Sequence, residues 1–202
     1  MATSSETLST EDWLAVARET LIREGVEAVK IDRLARACNV TRGGFYWRFK
    51  SREDLLDQLL KDWRTSNTTP FLAALSGPGT PAERYRSLIR LWLDEHDFNP
   101  DYDTAVRNWA NSSPKVAAVV HTVDDIRMDA LRGVFLDAGY DEDEALVRAR
   151  ITYFHQVGYY ALGLNEAQKA RAGLADIYYR ILTGFELEDG RPVRNGRTRS
   201  AR

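Results

Sequence analysis

The 202-residue chain carries a single cysteine, Cys38. That excludes an intramolecular disulfide and any cysteine-cluster metal site. A lone thiol with apolar neighbours is read as packing. Its three histidines, His96, His121 and His155, are far apart, with no two at i,i+3 or i,i+4. The helical pair that would hold a zinc ion is therefore absent, and no metal or cofactor is expected. No apolar run approaches the ~18 residues that a membrane span requires. The N-terminal residues Thr3 to Glu6 are polar and acidic, with no apolar signal core. The expectation is a cytoplasmic protein with no membrane partner. Period-2 alternation long enough for a strand is missing, and with it any strand followed by a glycine-rich phosphate loop. Cys38 has no histidine close in sequence to activate it, so an enzyme is not expected. The formal net charge is -2. Wholesale coating of nucleic acid is thereby excluded, and any such contact must come from a local patch.

What is present is a helical pattern with enough apolar residues, 44%, to bury a substantial core in one domain or two small ones. Residues 1–9 read as a disordered arm. Thr10 followed by Glu11 and Asp12 predicts a helix start, an N-cap with acids in the positive first turn. Trp13, Leu14, Ala17, Leu21 and Ile22 recur at helical spacing, and Gly25 predicts the stop. Ser51-Arg-Glu-Asp54 opens another helix, expected to run to about Asn67 with Leu55, Leu56, Leu59, Leu60 and Trp63 inward. Three prolines and two glycines between Thr68 and Pro81 predict a break near Pro78. Helical patterns follow at about 81–97, 103–112, 114–138, 142–163 and 167–185. The tail, 188–202, is Arg-rich and almost free of apolar residues, which predicts disorder.

The stretch Arg33 to Arg52 stands out. It holds six basic residues and no acidic one. Leu34, Ala35 and Cys38 mark the apolar face of a short helix. Asn39 suits the left-handed conformation that ends it, Val40 pins the turn, and Thr41 caps the next helix. That second helix, about Arg42 to Arg48, sets Phe45 and Phe49 at i,i+4 on an inner face. Arg42, Gly43, Tyr46 and Trp47 are left outside. Two adjacent glycines at the start of a helix cost about 1 kcal/mol each relative to alanine. They allow the backbone to approach another surface closely. Basic, aromatic and small residues on the outer face of a short second helix are what a DNA major groove requires. Arg42 is placed to read a guanine edge, and Gly43 and Gly44 keep the surface shallow. Tyr46, Trp47 and Arg48 are placed for phosphates or thymine methyls, and Lys50 and the amides at the Ser51 helix start for a phosphate.

Residues 13–60 resemble the N-terminal domain of the tetracycline-repressor (TetR/AcrR-type) family of bacterial transcription factors. The resemblance rests on the Trp13–Gly25 amphipathic helix, Leu34-Ala35, Val40-Thr41-Arg42-Gly43, Phe45-Tyr46, Phe49-Lys50-Ser51 and Leu55-Leu56, in order and without a gap. It implies an all-α fold: a three-helix helix-turn-helix DNA-binding domain over 10–52, helix 51–67 as link, and a helical effector-binding and dimerisation domain over 68–187. The expected DNA-contacting set is Lys30, Arg33, Thr41, Arg42, Gly43, Gly44, Tyr46, Trp47, Arg48 and Lys50. Two positions depart from the family. Lys30 stands where Ser or Thr usually caps the helix before Leu34, with Asp32 as a substitute partner for nearby amides. Gly44 stands where a side chain is common.

Helices 142–163 and 167–185 occupy the place where the family builds its dimer interface. Val147, Ile151, Phe154, Gly158, Tyr178 and Leu182 are the candidate interface residues, in a four-helix arrangement of a homodimer. A two-fold dimer sets two recognition helices about 34–36 Å or more apart, so the operator is expected to be near-palindromic double-stranded DNA. Aromatic and titratable residues give a candidate pocket for a small-molecule effector: Trp63, Trp92, His96, Trp109, His121, Phe154 and Tyr159. The expected function is a sequence-specific regulator, a repressor that its effector releases from DNA. The competing expectation is an all-helical protein-interaction module whose Arg42–Lys50 surface meets an acidic protein. Salt dependence and sequence preference separate the two.

Overall fold

The computed structural model describes residues 8–164 and 166–186, which form nine α-helices and one 3-10 turn and no strand. The Arg-rich tail and most of the N-terminal arm lie outside the described residues. The helices are α1 (Thr10–Glu24), α2 (Ile31–Ala37), α3 (Arg42–Tyr46), α4 (Arg52–Ser76), α5 (Pro81–Asp94), α6 (Pro100–Ala110), α7 (Pro114–Asp137), α8 (Glu142–Ala161) and α9 (Gln168–Thr183). Among the described residues, no helix is long and apolar enough to cross a membrane.

The first helix begins one residue earlier than its local signal suggested. Ser9, not Thr10, is the N-cap: its side chain accepts from the Asp12 N–H, and the Asp12 carboxylate accepts from the Ser9 N–H at 2.8 Å. A cap at Thr10 would place Trp13 at the third helical position, where it could not reciprocate. These bonds to Ser9 hold the Asp12 carboxyl below its ordinary range. Leu8 packs on the core beside this cap. Leu8 and Ser9, expected in the arm, are thus part of the packed structure. Gly25, at φ 80°, ends the helix as the pattern indicated.

The larger correction concerns α4. It was expected to stop near Asn67, and it runs to Ser76 straight through Pro70. An interior proline costs roughly 3 kcal/mol. Phe71 and Leu75 are both buried, and about 1.5–3 kcal/mol for each offsets that cost. The chain breaks only at Gly77 to Thr80, around the expected Pro78. Thr80 then opens α5 with a reciprocal cap to Glu83.

Packing divides the described chain into two units, and the division is not a single cut near residue 68. One unit comprises the residues up to Thr69 with Asn99–Val123; the other comprises Pro70–Phe98 and the residues from Asp124 on. Helices α4 and α7 contribute to both. The core of the first unit joins Trp13, Leu21, Leu34, Phe45, Phe49, Leu55, Leu59 and Trp63 to Tyr102, Val106 and Trp109 of α6. Phe45 packs edge-on against Trp13 at 5.4 Å between centroids and stacks on Phe49 at 5.1 Å. Polar ties fix α6 there. The Tyr102 hydroxyl donates to the Leu59 carbonyl at 2.7 Å, and the buried Trp63 indole N–H donates to Asp103 at 3.1 Å. The Asn67 side chain bonds the Asn99 backbone in both directions. The second unit packs Phe71, Tyr85, Leu88, Trp92, Phe135, Ala149, Tyr153, Tyr179 and Phe185.

Candidate nucleic-acid interface and effector pocket

The turn between α2 and α3 is built as its residue types require. The Cys38 N–H donates to the Leu34 carbonyl, Asn39 takes a left-handed φ of 53°, and the Val40 N–H returns to the Ala35 carbonyl. Val40 is half-buried against the core, so it pins the turn without being enclosed. Helix α3 ends at Tyr46, two residues before its expected end. The chain then turns so that Phe49 reaches the core beside Phe45, with its N–H on the Phe45 carbonyl at 3.0 Å. Burying both rings fixes which side of α3 faces outward.

That outward side carries most of the expected set. Lys30, Arg33, Thr41, Arg42, Gly43, Arg48 and Lys50 are exposed and Gly44 is half-buried. Tyr46 is 58% and Trp47 87% exposed. An exposure of that size for an indole is costly in water and finds its use against another surface. Thr41 occupies the cap position of α3, but its hydroxyl makes no capping bond. Lys30 likewise heads α2 without a side-chain cap.

Asp32 does not cap α2 in place of Lys30, since its carboxylate is taken by Arg42. The guanidinium meets it in a two-pronged pair, Nε to Oδ1 and Nη2 to Oδ2, across the turn. The pair holds the Arg42 side chain in one direction on the exposed face. Arg33 pairs with Glu24 of α1, and Arg48 donates to the Leu8 carbonyl at 3.1 Å. Arg52 leaves the basic patch altogether. Its guanidinium donates to the carbonyls of Val29 at 2.6 Å and Val26 at 2.7 Å, pinning the 3-10 turn Val26–Ala28 to α4. The start of α4 is also partly occupied. The Ser51 hydroxyl accepts from the Asp54 N–H and the Asp54 carboxylate from the Lys50 N–H. An incoming phosphate there meets that carboxylate and amides already engaged by the chain's own side chains.

The two glycines of α3 are the most telling part of the site. A Cβ built on Gly43 meets only the Thr41 hydroxyl oxygen, at 3.5 Å, and one on Gly44 only the Val40 side chain, at 4.0 Å. Both are ordinary contacts. Neither residue has a positive φ. Nothing among the described residues therefore requires glycine at either position, although glycine weakens a helix.

In the second unit, one pocket lies among α5, α8 and α9. It is lined by Tyr85, Ile89, Trp92 and Leu93, by His155, Gln156 and Tyr159, and by Glu166, Arg171, Ala175, Tyr178 and Leu182. Of the residues expected at an effector site, Trp92 and Tyr159 line it. Trp63 and Trp109 are packed in the core of the first unit, and His96, His121 and Phe154 are on the surface. Tyr178 and Leu182, expected at a dimer interface, line the same pocket. Burial holds the His155 imidazole below its ordinary pKa, which favours the neutral ring. Gln156 went unnoticed in sequence, although a signal existed: it is a polar residue on the buried face of α8, in phase with Ala149, Thr152 and Tyr153. Arg171, before α9 has completed its first turns, carried no local signal at all.

The remaining candidate interface residues are open. Val147, Ile151 and Phe154 of α8 are exposed, as are Leu174, Ile177, Tyr178 and Ile181 of α9. Gly158, on the α8 stripe, has nothing within 4 Å of a built Cβ. Among the described residues, every exposed large apolar side chain other than Tyr46 and Trp47 lies between Val147 and Ile181.

Comparison with known proteins places these observations. Residues 14–59 match the model of the bacterial regulatory proteins of the tetR family. Over 55 residues the chain is 34% identical to the HTH-type transcriptional regulator AcrR of Shigella flexneri, a stretch that is 27% of this chain and 24% of that protein. The likeness in sequence thus spans about a quarter of the curated relative. Similarity in fold is broader. A TetR transcriptional regulator from Legionella pneumophila superimposes with a TM-score of 0.69 at 20% identity, covering 90% of this chain and 99% of that one. A transcriptional regulator from Rhodococcus sp. Rha1 does so with a TM-score of 0.67 at 19% identity, covering 87% and 96%.

Proposed function

We propose that the chain, whose residues 14–59 match the model of the tetR family of bacterial regulatory proteins, is a TetR-type homodimeric, sequence-specific transcriptional repressor released from its operator by a small molecule. The observation that carries the DNA-binding part is the glycine pair. Gly43 and Gly44 have room for side chains within their own fold and stand beside the exposed Arg42, Tyr46 and Trp47. A shallow, basic and aromatic surface on the outer side of α3 fits a groove floor approached closely by backbone. Arg42 reads a guanine edge in bidentate fashion. Thr41, Tyr46, Trp47 and Arg48 contact phosphates and thymine methyls and Lys50 a phosphate, with Lys30 and Arg33 on the flanking backbone.

The apolar faces of α8 and α9 support the dimer. Stripes at 147, 151, 154 and 158 and at 174, 177, 178 and 181 are the spacing of helices that pack on a copy of themselves. The pocket lined by Trp92 and Tyr159 is the effector site. Its occupation shifts the population of dimer geometries away from the one whose recognition helices match successive major grooves. Helix α4 belongs to both units and carries that shift.

Selection of bound sequences from a random duplex pool, at near-physiological salt, tests the reading. A near-palindromic motif is expected. A folded protein that enriches no motif, and instead captures acidic peptides through the Arg42–Lys50 surface, is an interaction module and not a regulator.

A further inference from the structure

We propose that the pocket among α5, α8 and α9 takes a small, uncharged, single-ring aromatic molecule bearing one hydrogen-bond acceptor, which Gln156 recognises. The inference deepens the effector reading and rests on it. Three features of the pocket lead to this ligand class.

The first is an unspent donor. Gln156 is 9% exposed, and its amide nitrogen is buried without a hydrogen-bond partner. Buried polar side-chain atoms are ordinarily paired, and one that lines a pocket without a partner is provision for an acceptor brought from outside.

The second is the state of the charges. Arg171 donates to Glu95 at 2.5 Å and to the Trp92 carbonyl at 2.9 Å, and its guanidinium lies 4.9 Å from the centre of the Tyr159 ring. Glu166 accepts from the Tyr159 hydroxyl at 3.2 Å. His155 is held towards its neutral form by burial. Arg171 is paired within the chain, His155 is held towards neutral, and the Glu166 carboxylate is exposed to solvent, so an ionised ligand would be desolvated without a buried counter-ion.

The third is the wall. The cavity is small, about 70 Å³, which leaves no room for a fused ring system. Its walls set the rings of Tyr85, Trp92, Tyr159 and Tyr178, the last with His155 at 4.8 Å between ring centres, beside the aliphatic Ile89, Leu93, Ala175 and Leu182. Aromatic walls favour edge-on and offset contacts with another ring over contacts with an aliphatic chain.

The test uses the purified full-length protein and ligand-observed NMR titrations with five probes: acetophenone, ethylbenzene, benzoate, benzylamine and cyclohexyl methyl ketone. Acetophenone is expected to bind tightest. Gln156→Leu keeps the side-chain volume and removes the donor. It should weaken acetophenone about tenfold, the scale of one hydrogen bond lost to a buried group, and leave ethylbenzene almost unchanged. Ethylbenzene binding also reports that the variant is folded. The proposal is overturned if benzoate or benzylamine matches acetophenone, if the aliphatic ketone does, if no probe binds, or if Gln156→Leu leaves acetophenone's advantage intact. Operator selection run on the same preparation separates the two claims. A selected operator with an empty pocket sinks the ligand class and leaves the regulator. Without an enriched DNA motif the regulator itself fails, whatever the probes do.

Discussion

Two surfaces of this chain leave large apolar side chains in water, and they do so differently. On α3 the exposed groups are two amphipathic aromatics, Tyr46 and Trp47, set among arginines and glycines. On α8 and α9 they are mainly aliphatic, Val147, Ile151, Leu174, Ile177 and Ile181, joined by Phe154 and Tyr178 and repeated at helical spacing. The same exposure therefore calls for different partners. An aliphatic stripe is satisfied by another aliphatic stripe, and a two-fold copy of the chain supplies one. A basic, glycine-flattened aromatic surface is satisfied by a polyanion with stacked, methyl-bearing edges. Chemistry, rather than the amount of exposed apolar surface, separates the proposed self-associating face from the proposed nucleic-acid face.

The sharpest way to break this contrast is to charge the aliphatic face. Phe154→Glu or Ile181→Glu places a carboxylate in the proposed interface twice, once per protomer. An unpaired buried charge costs about 3–5 kcal/mol. Sedimentation equilibrium should report a monomer with unchanged helical circular dichroism, and binding to a palindromic site should collapse while half-site binding persists. A variant that remains a dimer with full operator affinity would show that these stripes are not the interface.

On the other face the largest effect belongs to Arg42. Arg42→Ala should cost about 1–3 kcal/mol at its preferred base pair and relax discrimination there. Asp32 refines the test. Its carboxylate orients Arg42 in the free protein, so Asp32→Ala should lower site discrimination while raising affinity for unrelated DNA. Competition binding with cognate and scrambled duplexes distinguishes the two variants. If Arg42→Ala weakens every sequence alike, Arg42 contacts phosphate rather than bases.

The glycines permit a test in which stability and function move in opposite directions. Gly43→Ala adds a methyl that meets only the Thr41 hydroxyl oxygen at an ordinary distance. The thermal midpoint should hold or rise, because alanine favours helix by up to about 1 kcal/mol. Operator affinity should nevertheless fall. A variant that gains stability and keeps its affinity would mean that the backbone of α3 does not approach the DNA closely.

Much of this was legible in the chain because the signals are local. Asn39 as a left-handed turn residue, Gly25 as a stop, and the inward phase of Phe45 and Phe49 all follow from neighbours a few positions away. What escaped depends on partners far along the chain. Arg52 looked like part of the basic patch, yet it is spent on carbonyls more than twenty residues earlier. Asp32 looked like a cap for α2, yet it faces Arg42 across the turn. The helix opened at Ser51 looked set to end near Asn67, and only the burial of Phe71 and Leu75 explains why α4 continues through Pro70. The pocket was the least legible. Its wall combines three helices, and the aromatic residues scattered through the sequence divide among two cores, the surface and the pocket itself.

The smallest expected effect concerns Lys50, and it decides how the nucleic-acid face divides its labour. Lys50 follows the buried Phe49 and precedes α4, with its backbone N–H bonded to Asp54 and its side chain exposed. A lysine so placed acts as a point charge towards a phosphate. Lys50→Ala should weaken cognate and non-cognate duplexes by the same modest factor. It should also reduce the slope of log affinity against log salt by about one. Arg42→Ala, by contrast, should change the ranking of sites. Titrations at four or five salt concentrations on two duplexes read both quantities at once. A loss confined to the cognate duplex would transfer Lys50 to base readout and would extend the specificity-determining surface beyond α3.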